Sequence, residues 1–199
     1  MGYIGKKPTD APLTSSDIAD GIVSTAKIAD GTITNADLAS GVGGKILQVV
    51  QTSKTDTTSL TDTYSFTDIS GMSVSITPSA TSSKILILST LNIASGASAY
   101  GCHLRLVRGS TGIFVGDAAS SRVQATCSTI SVDNNFTFPQ TINFLDTPST
   151  TSETTYKIQW HITYDNGTPI IYLNRSVTDG DAATNARTPS SIIAIEVAG

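Results

Sequence analysis

The chain has 199 residues and a net charge of −4, with only 14% of its residues charged. That mild acidity, without a basic stripe, excludes a nucleic-acid surface and a polybasic membrane patch; the length allows one ordinary domain with an appendage. The polar residues are dominated by 26 Ser, 30 Thr and fourteen Asp against two Glu. These types draw backbone into turns or suit strands rather than helices, so an all-β fold is expected.

Residues 1–15 hold Gly2, Gly5, Pro8 and Pro12 and no periodicity, and read as an extended segment able to follow another surface. They lack the apolar stretch of a signal peptide, which implies a protein made and kept in a cytoplasm, or one that leaves it by some other route. The longest apolar run, Ile85 to Leu88, is far too short to span a bilayer. Residues 16–44 repeat one phrase at an interval of ten: SDIADGIVST, AKIADGTITN, ADLASGV. Ile18, Ile28 and Leu38 coincide, each followed by Ala and an Asp/Ser-Gly turn; Ile22, Val23 and Ile33 fill the β-branched slot. A decad cannot cover its own apolar groups, so such repeats hold shape only by stacking or by association between chains. A stalk of three intertwined chains, with Ile18, Ile22, Val23, Ile28, Ile33 and Leu38 as its contacts, explains the pattern better than a thin solenoid. A flexible linker of accidental regularity is the alternative.

From residue 45 to 199 the pattern is that of strands. The segments 46–52, 62–67, 72–76, 84–94, 128–133, 136–145 and 191–198 are strand candidates, and CHLRLVRGSTGIFVGD reads strand, turn, strand. KILILSTLNIA is dense enough for a strand buried on both faces. In YKIQWHITY, Tyr156, Ile158, Trp160, Ile162 and Tyr164 share one face, and Lys157, Gln159, His161 and Thr163 share the other. Asn166-Gly167 then turns the chain into IIYLNRS, which predicts a hairpin. In the last strand Ile193, Ile195 and Val197 fall in phase. Nine or ten strands at this spacing predict a jelly-roll-type β-sandwich head over 45–199.

No constellation carries chemistry. His103 and His161 are the only imidazoles; each lies on the polar face of its strand, where exposure or a subunit interface accounts for it. Cys102-His103 with a distant Cys127 falls short of a zinc set, and the two cysteines read as small buried apolar residues. No serine sits in a nucleophile elbow. Asp117, Asp133, Asp146, Asp165 and Asp179 are available for the paired carboxylates of a glycosidase, yet nearly all occupy turn-like sequence. In DGDAATNAR, Asp179, Asp181 and Asn185 offer oxygen ligands but depart from calcium-loop spacing. No catalytic residue, metal or cofactor is expected. Tyr100, Phe114, Tyr164 and Tyr172 lie at or beside loop and hairpin ends and are the candidate receptor or interface contacts. Phe136 and Phe138 read as core.

GYIGKKPTDAPLTSSDIADG, the AKIADGTIT decads and GGKILQVVQT resemble tail-fibre or other receptor-binding appendage proteins of bacteriophages, especially marine ones. SITPSATSSKILILSTLN, LVRGSTGIFVGD, FLDTPSTTSETTYKIQW and TPSSIIAIEV are similar to the globular tips of such proteins, which resemble trimeric jelly rolls of the C1q/TNF kind. The resemblance implies a homotrimeric virion structural protein, synthesised in the host cytoplasm. Its N-terminus would meet another virion protein and its head a host cell-surface glycan or protein, with no nucleic acid bound and no membrane inserted. A capsid fibre, decoration or tail component without receptor binding is the alternative it leaves open.

Overall fold

The computed structural model describes residues 23–24, 28–29, 32–33, 37, 45–61, 65–95, 101–130, 133–162 and 170–199. The chain divides into two compact units, Met1–Gly44 and Lys45–Gly199. In the first, Ala29 O accepts from both the Thr32 amide (3.1 Å) and the Thr32 hydroxyl (2.6 Å), closing a turn within the second decad. The segment 1–15 lies outside the described residues.

The second unit is built from β1 (Ile46–Lys54), β2 (Thr58–Thr61), β3 (Thr67–Ile76), β4 (Lys84–Ser95), β5 (Gly101–Arg108), β6 (Thr111–Ile113), β7 (Cys127–Ile130), β8 (Phe138–Asp146), β9 (Thr154–Ile162), β10 (Ile170–Leu173) and β11 (Ser190–Val197). One sheet runs β1-β11-β4-β10-β2 with β8 on the far side of β4; the other runs β3-β9-β5-β6 with β7 also on β5. Every ladder is antiparallel.

The eleven strands reduce to eight positions. The first part of β4 pairs with β11 and its end with β10, both antiparallel. β10 and β11 are therefore one strand position interrupted by residues 174–189. β1 and β2 form a second interrupted position beside them, and β6 and β7 a third, along β5. Two four-position sheets with consecutive strands crossing between them make an antiparallel jelly roll.

Alternation drives the core. Met72, Val74 and Ile76 of β3, Leu104 and Leu106 of β5, and Tyr156, Ile158, Trp160 and Ile162 of β9 point inward and are buried. They meet Ile85, Ile87, Leu91 and Ile93 of β4 with Ile171, Leu173, Ile192 and Ala194 from the facing sheet. β3 carries a bulge between Asp68 and Ser73, where Gly71 takes φ +81, a conformation a Cβ would strain. The buried Lys54 side chain runs past that glycine to meet Asp56 at 2.6 Å.

Several expectations are corrected. β9 and β10 do not form a hairpin: β9 is flanked by β3 and β5 in one sheet, while β10 pairs with β2 and β4 in the other. The Asn166-Gly167 turn lies outside the described residues. β4 is buried on one face only: Ile85 and Ile87 are inaccessible, whereas Leu86 and Leu88 stay half-exposed outward. In β11, Ile193, Ile195 and Val197 do fall in phase as expected, on the outward face, while Ile192, Ala194 and Glu196 form the buried phase. His161 is buried, not exposed. Phe136 is 58% exposed rather than core.

One end of the sandwich is pinned by a polar cluster. Asp146, buried at the end of β8, accepts two bonds from Arg108 Nη1 (2.9 and 2.8 Å) and one from the Tyr156 hydroxyl (2.7 Å). Burial, with the bond to Asp146, pushes the Tyr156 phenol far above its ordinary range. The cluster ties β8 of one sheet to β5 and β9 of the other. Asp146→Ala would leave a buried phenol and a half-buried guanidinium without their partner. It is expected to cost about 3 kcal/mol, read as a lowered urea midpoint at unchanged slope. Tyr156→Phe should cost a fraction of that.

Candidate functional site

The outer face of the six-stranded sheet divides in two. Register aligns Val49 with Ile195, Ile195 with Leu86, and Leu86 with Leu145, a row of outward apolar side chains crossing β1, β11, β4 and β8. Ile193 and Leu88 lie directly opposite each other in the next outward row. Val49 is 58% exposed and Leu145 47%, and Ile46 and Leu47 at the start of β1 are exposed as well. Nothing within the described residues covers this row. An apolar face this continuous is a feature that monomeric domains avoid. Farther along the sheet the outward residues turn polar, through Thr90, Ser191 and Asn92 to Ser59 and Tyr172.

The opposite sheet presents a hydrogen-bonded polar ladder. Asp68 accepts from Lys157 Nζ and Gln159 Nε2, both at 2.7 Å, and Gln159 Oε1 accepts from Arg105 Nε and Nη2 at 3.2 and 2.7 Å. The Arg105 guanidinium lies 3.9 Å over the Phe66 ring, which also packs against His161 at 5.2 Å. His161 faces His103 across the strands with ring centroids 5.7 Å apart, and His103 Nδ1 contacts Ser128 Oγ at 2.9 Å. The Lys157 ammonium beside Asp68 holds that carboxyl below its ordinary value. Burial, then the neighbouring His161, holds the His103 imidazole below 6.5. Inside the sandwich, burial opposes ionisation of Glu196, but the bonds that its Oε1 accepts from the Ser79 hydroxyl and the Ser79 amide, both at 2.6 Å, outweigh it and lower its pKa.

All three shifts are downward, so the unfolded chain binds more protons than the folded one on acidification. Their stabilisation is complete above the unfolded values and is lost as pH falls through the folded ones. Stability should therefore be flat only from about pH 7 to 8, begin to fall below about 6.5 as His103 resists its proton, and fall further below about 4.5. Above about 8.5 it should fall again, because the buried Cys102 thiol keeps its proton while the unfolded one ionises. Urea midpoints across a pH series check this. His103→Gln should remove the first step and leave the second.

The interruption at 174–189 carries a charge cluster in which one carboxylate meets two guanidinium groups. Arg175 and Arg187 form an isolated β-bridge. Asp179 lies between them, accepting from Arg187 Nε at 2.9 Å and Nη2 at 2.6 Å, and from Arg175 Nη1 at 2.9 Å. Asp179 is thus held by guanidinium groups. Among the described residues no group of three His, Cys, Asp or Glu is placed to hold a metal ion.

Of the residues singled out from sequence, Val23, Ile28 and Ile33 are exposed at 55%, 39% and 52%; Ile18, Ile22 and Leu38 lie outside the described residues. Tyr100 and Tyr164 lie outside them too. Phe114 follows β6 at φ 52, half-exposed, with its ring stacked on Phe144 at 4.7 Å. Tyr172 sits under the Arg175 guanidinium at 4.1 Å. Cys102 and Cys127 are free thiols, and burial pushes the Cys102 thiol up to about 12. The apolar row and the arginine clamp were not singled out. The outward leucines of KILILSTL, in antiphase to its buried isoleucines, were the available signal for the row.

Fold and surface together define an antiparallel jelly-roll sandwich with one apolar sheet face left open. No family model and no curated protein matches the chain. Among solved structures it is similar in chain path to VP2 of infectious bursal disease virus. A T=1 particle of that protein aligns at 12% identity and TM-score 0.42, over 76% of this chain and 36% of VP2; a VP2 subviral particle aligns at 12% and 0.41, over 76% and 38%. The chain spans under two-fifths of the length of those structures.

Proposed function

We propose that the chain is a non-enzymatic structural protein of a virion, a homotrimeric tail fibre or receptor-binding appendage that attaches the particle to a host surface. The observation that carries this reading is the open apolar row Val49–Ile195–Leu86–Leu145. A second and a third copy of the same face supply the cover that the chain does not. The decads of three chains associate in their turn, so that the exposed Val23, Ile28 and Ile33 share cover. Residues 1–15 dock on another virion protein, and the head loops meet a host-surface glycan or protein with avidity set by their number.

Sedimentation equilibrium of the full chain is expected to give three times its 20.6 kDa mass, and the fluorescently labelled trimer to decorate host cells. A monomer would overturn the assembly. A trimer that decorates no cell would leave a purely architectural part.

A further inference from the structure

We propose that the 174–189 interruption is a binding site for neutral sugars, formed by two cavities on either side of the Arg175–Asp179–Arg187 clamp. Its biological use rests on the attachment reading above; its chemistry does not. One cavity, about 390 Å³, is lined by Asp179, Gly180, Asp181, Ala182, Asn185 and Arg187. The other, about 240 Å³, is lined by Thr57, Thr58, Ser59, Tyr172 and Arg175. The larger falls in the size range of small-molecule sites, roughly 300–1,000 Å³.

The lining selects the ligand class. Arg175, Arg187, Asp179 and Asp181 cancel in charge. Arg175 commits Nε to Ser176 O, Nη1 to Asp179 and Nη2 to Val177 O, and Arg187 holds Asp179 through two nitrogens. The two guanidinium groups share the single Asp179 carboxylate, and only with Asp181 counted does the local charge sum to zero, which leaves no net positive charge to attract an anion. The remaining surface mixes carboxylate acceptors, an amide, three aliphatic hydroxyls, and the ring and hydroxyl of Tyr172. A polyol, whose hydroxyls each donate and accept, matches that mixture; the Tyr172 ring, one face of which lies under the Arg175 guanidinium, offers its edge and its hydroxyl to the ligand.

The site is also built in advance. Surface ion pairs contribute little stability, yet here they fix both arginines against one carboxylate. The Asn185 amide donates to Gly180 O, the Asn185 backbone N–H to Ala182 O, and Thr178 N–H to Asn134 O. The loop is anchored at its start by the fully buried Asn174. Groups held in one geometry lose little entropy when a ligand arrives.

The test is a titration of the isotope-labelled full chain, followed by amide and aromatic NMR shifts. The probes are the methyl glycosides of glucose, galactose, mannose and N-acetylglucosamine, with methyl glucuronide and inorganic phosphate as anionic counterparts. At least one neutral glycoside is expected to shift residues 57–59 and 172–187. Tyr172→Ala and Asp181→Ala should each weaken binding on the order of tenfold. Asp181 is exposed, so its variant keeps the test alive if Tyr172→Ala fails to fold. No response to any neutral glycoside, an equal or stronger response to the anionic probes, or unchanged binding by both variants would overturn the proposal. A chain that decorates cells yet ignores these sugars sinks the site alone. One that binds sugars without decorating cells sinks the attachment reading alone.

Discussion

Leu86→Arg is expected to leave the sandwich folded and to take the proposed trimer apart. Leu86 stands at the middle of the outward row, with Ile195 on one side and Leu145 on the other. Its neighbours Ile85 and Ile87 point inward and are inaccessible, so the substitution touches the core nowhere. In the single chain the guanidinium reaches water along its aliphatic stem. In an assembly that buries this face, an unpaired charge enters an apolar contact once per copy. Each entry costs several kcal/mol. It also forfeits the roughly 1.5–3 kcal/mol that covering a leucine contributes. Every 1.4 kcal/mol is tenfold in the association constant, so dissociation into monomers at micromolar concentration follows. Sedimentation across a dilution series reads the mass, and circular dichroism confirms that strand content is retained. A variant that stays trimeric with an unchanged spectrum would show that the copies meet elsewhere.

What the sequence made legible follows from how local each feature is. The alternation of β9 survives because period two is a property of nine neighbouring residues: Tyr156, Ile158, Trp160 and Ile162 are all buried as expected. The β5–β6 hairpin is also local, closed at Arg108 and Thr111. The β9–β10 hairpin failed because pairing is settled by distant strands, β3 and β5, which occupy both edges of β9. The density of KILILSTLNIA was visible; that its second apolar face finds no cover within the described chain was not. His161 kept its place on the polar face, but Phe66, ninety-five positions away in sequence, packs on its ring. The arginine clamp depends on a β-bridge joining residues 175 and 187, which no periodicity announces.

Asn174→Ala is expected to be the most destabilising single substitution in the sandwich. Asn174 stands where β10 gives way to the interruption, inaccessible to solvent and at φ 66. Its Nδ2 donates to Lys54 O and Asp56 O, both at 2.9 Å, in the gap between β1 and β2. Its Oδ1 accepts from Ser190 Oγ at 2.5 Å, and Ser190 Oγ in turn accepts from the Asn92 amide. Its backbone N–H donates to Asn92 O and its carbonyl accepts from Thr188 N–H. One side chain thus joins the broken strands of two positions to β4. Alanine leaves the buried Lys54 carbonyl, the part-buried Asp56 carbonyl and a serine hydroxyl short of a partner, at about 1–3 kcal/mol for each buried group left unsatisfied, and adds about 1 kcal/mol for the left-handed backbone. The sum of about 4 kcal/mol or more corresponds to a melting temperature lowered by roughly 10 °C. Asn174→Gly removes the same bonds but accepts the φ, so it should recover only about 1 kcal/mol of the loss. Asn174→Asp keeps the shape while turning a donor into an acceptor against two carbonyl oxygens, and should do no better than alanine. Because residues 174–189 hang from this point, the three variants should also broaden the amide resonances of the arginine clamp well below their melting temperatures. A melting temperature within a few degrees of the parent for Asn174→Ala would mean that water replaces the side chain and that the broken strands hold together without it.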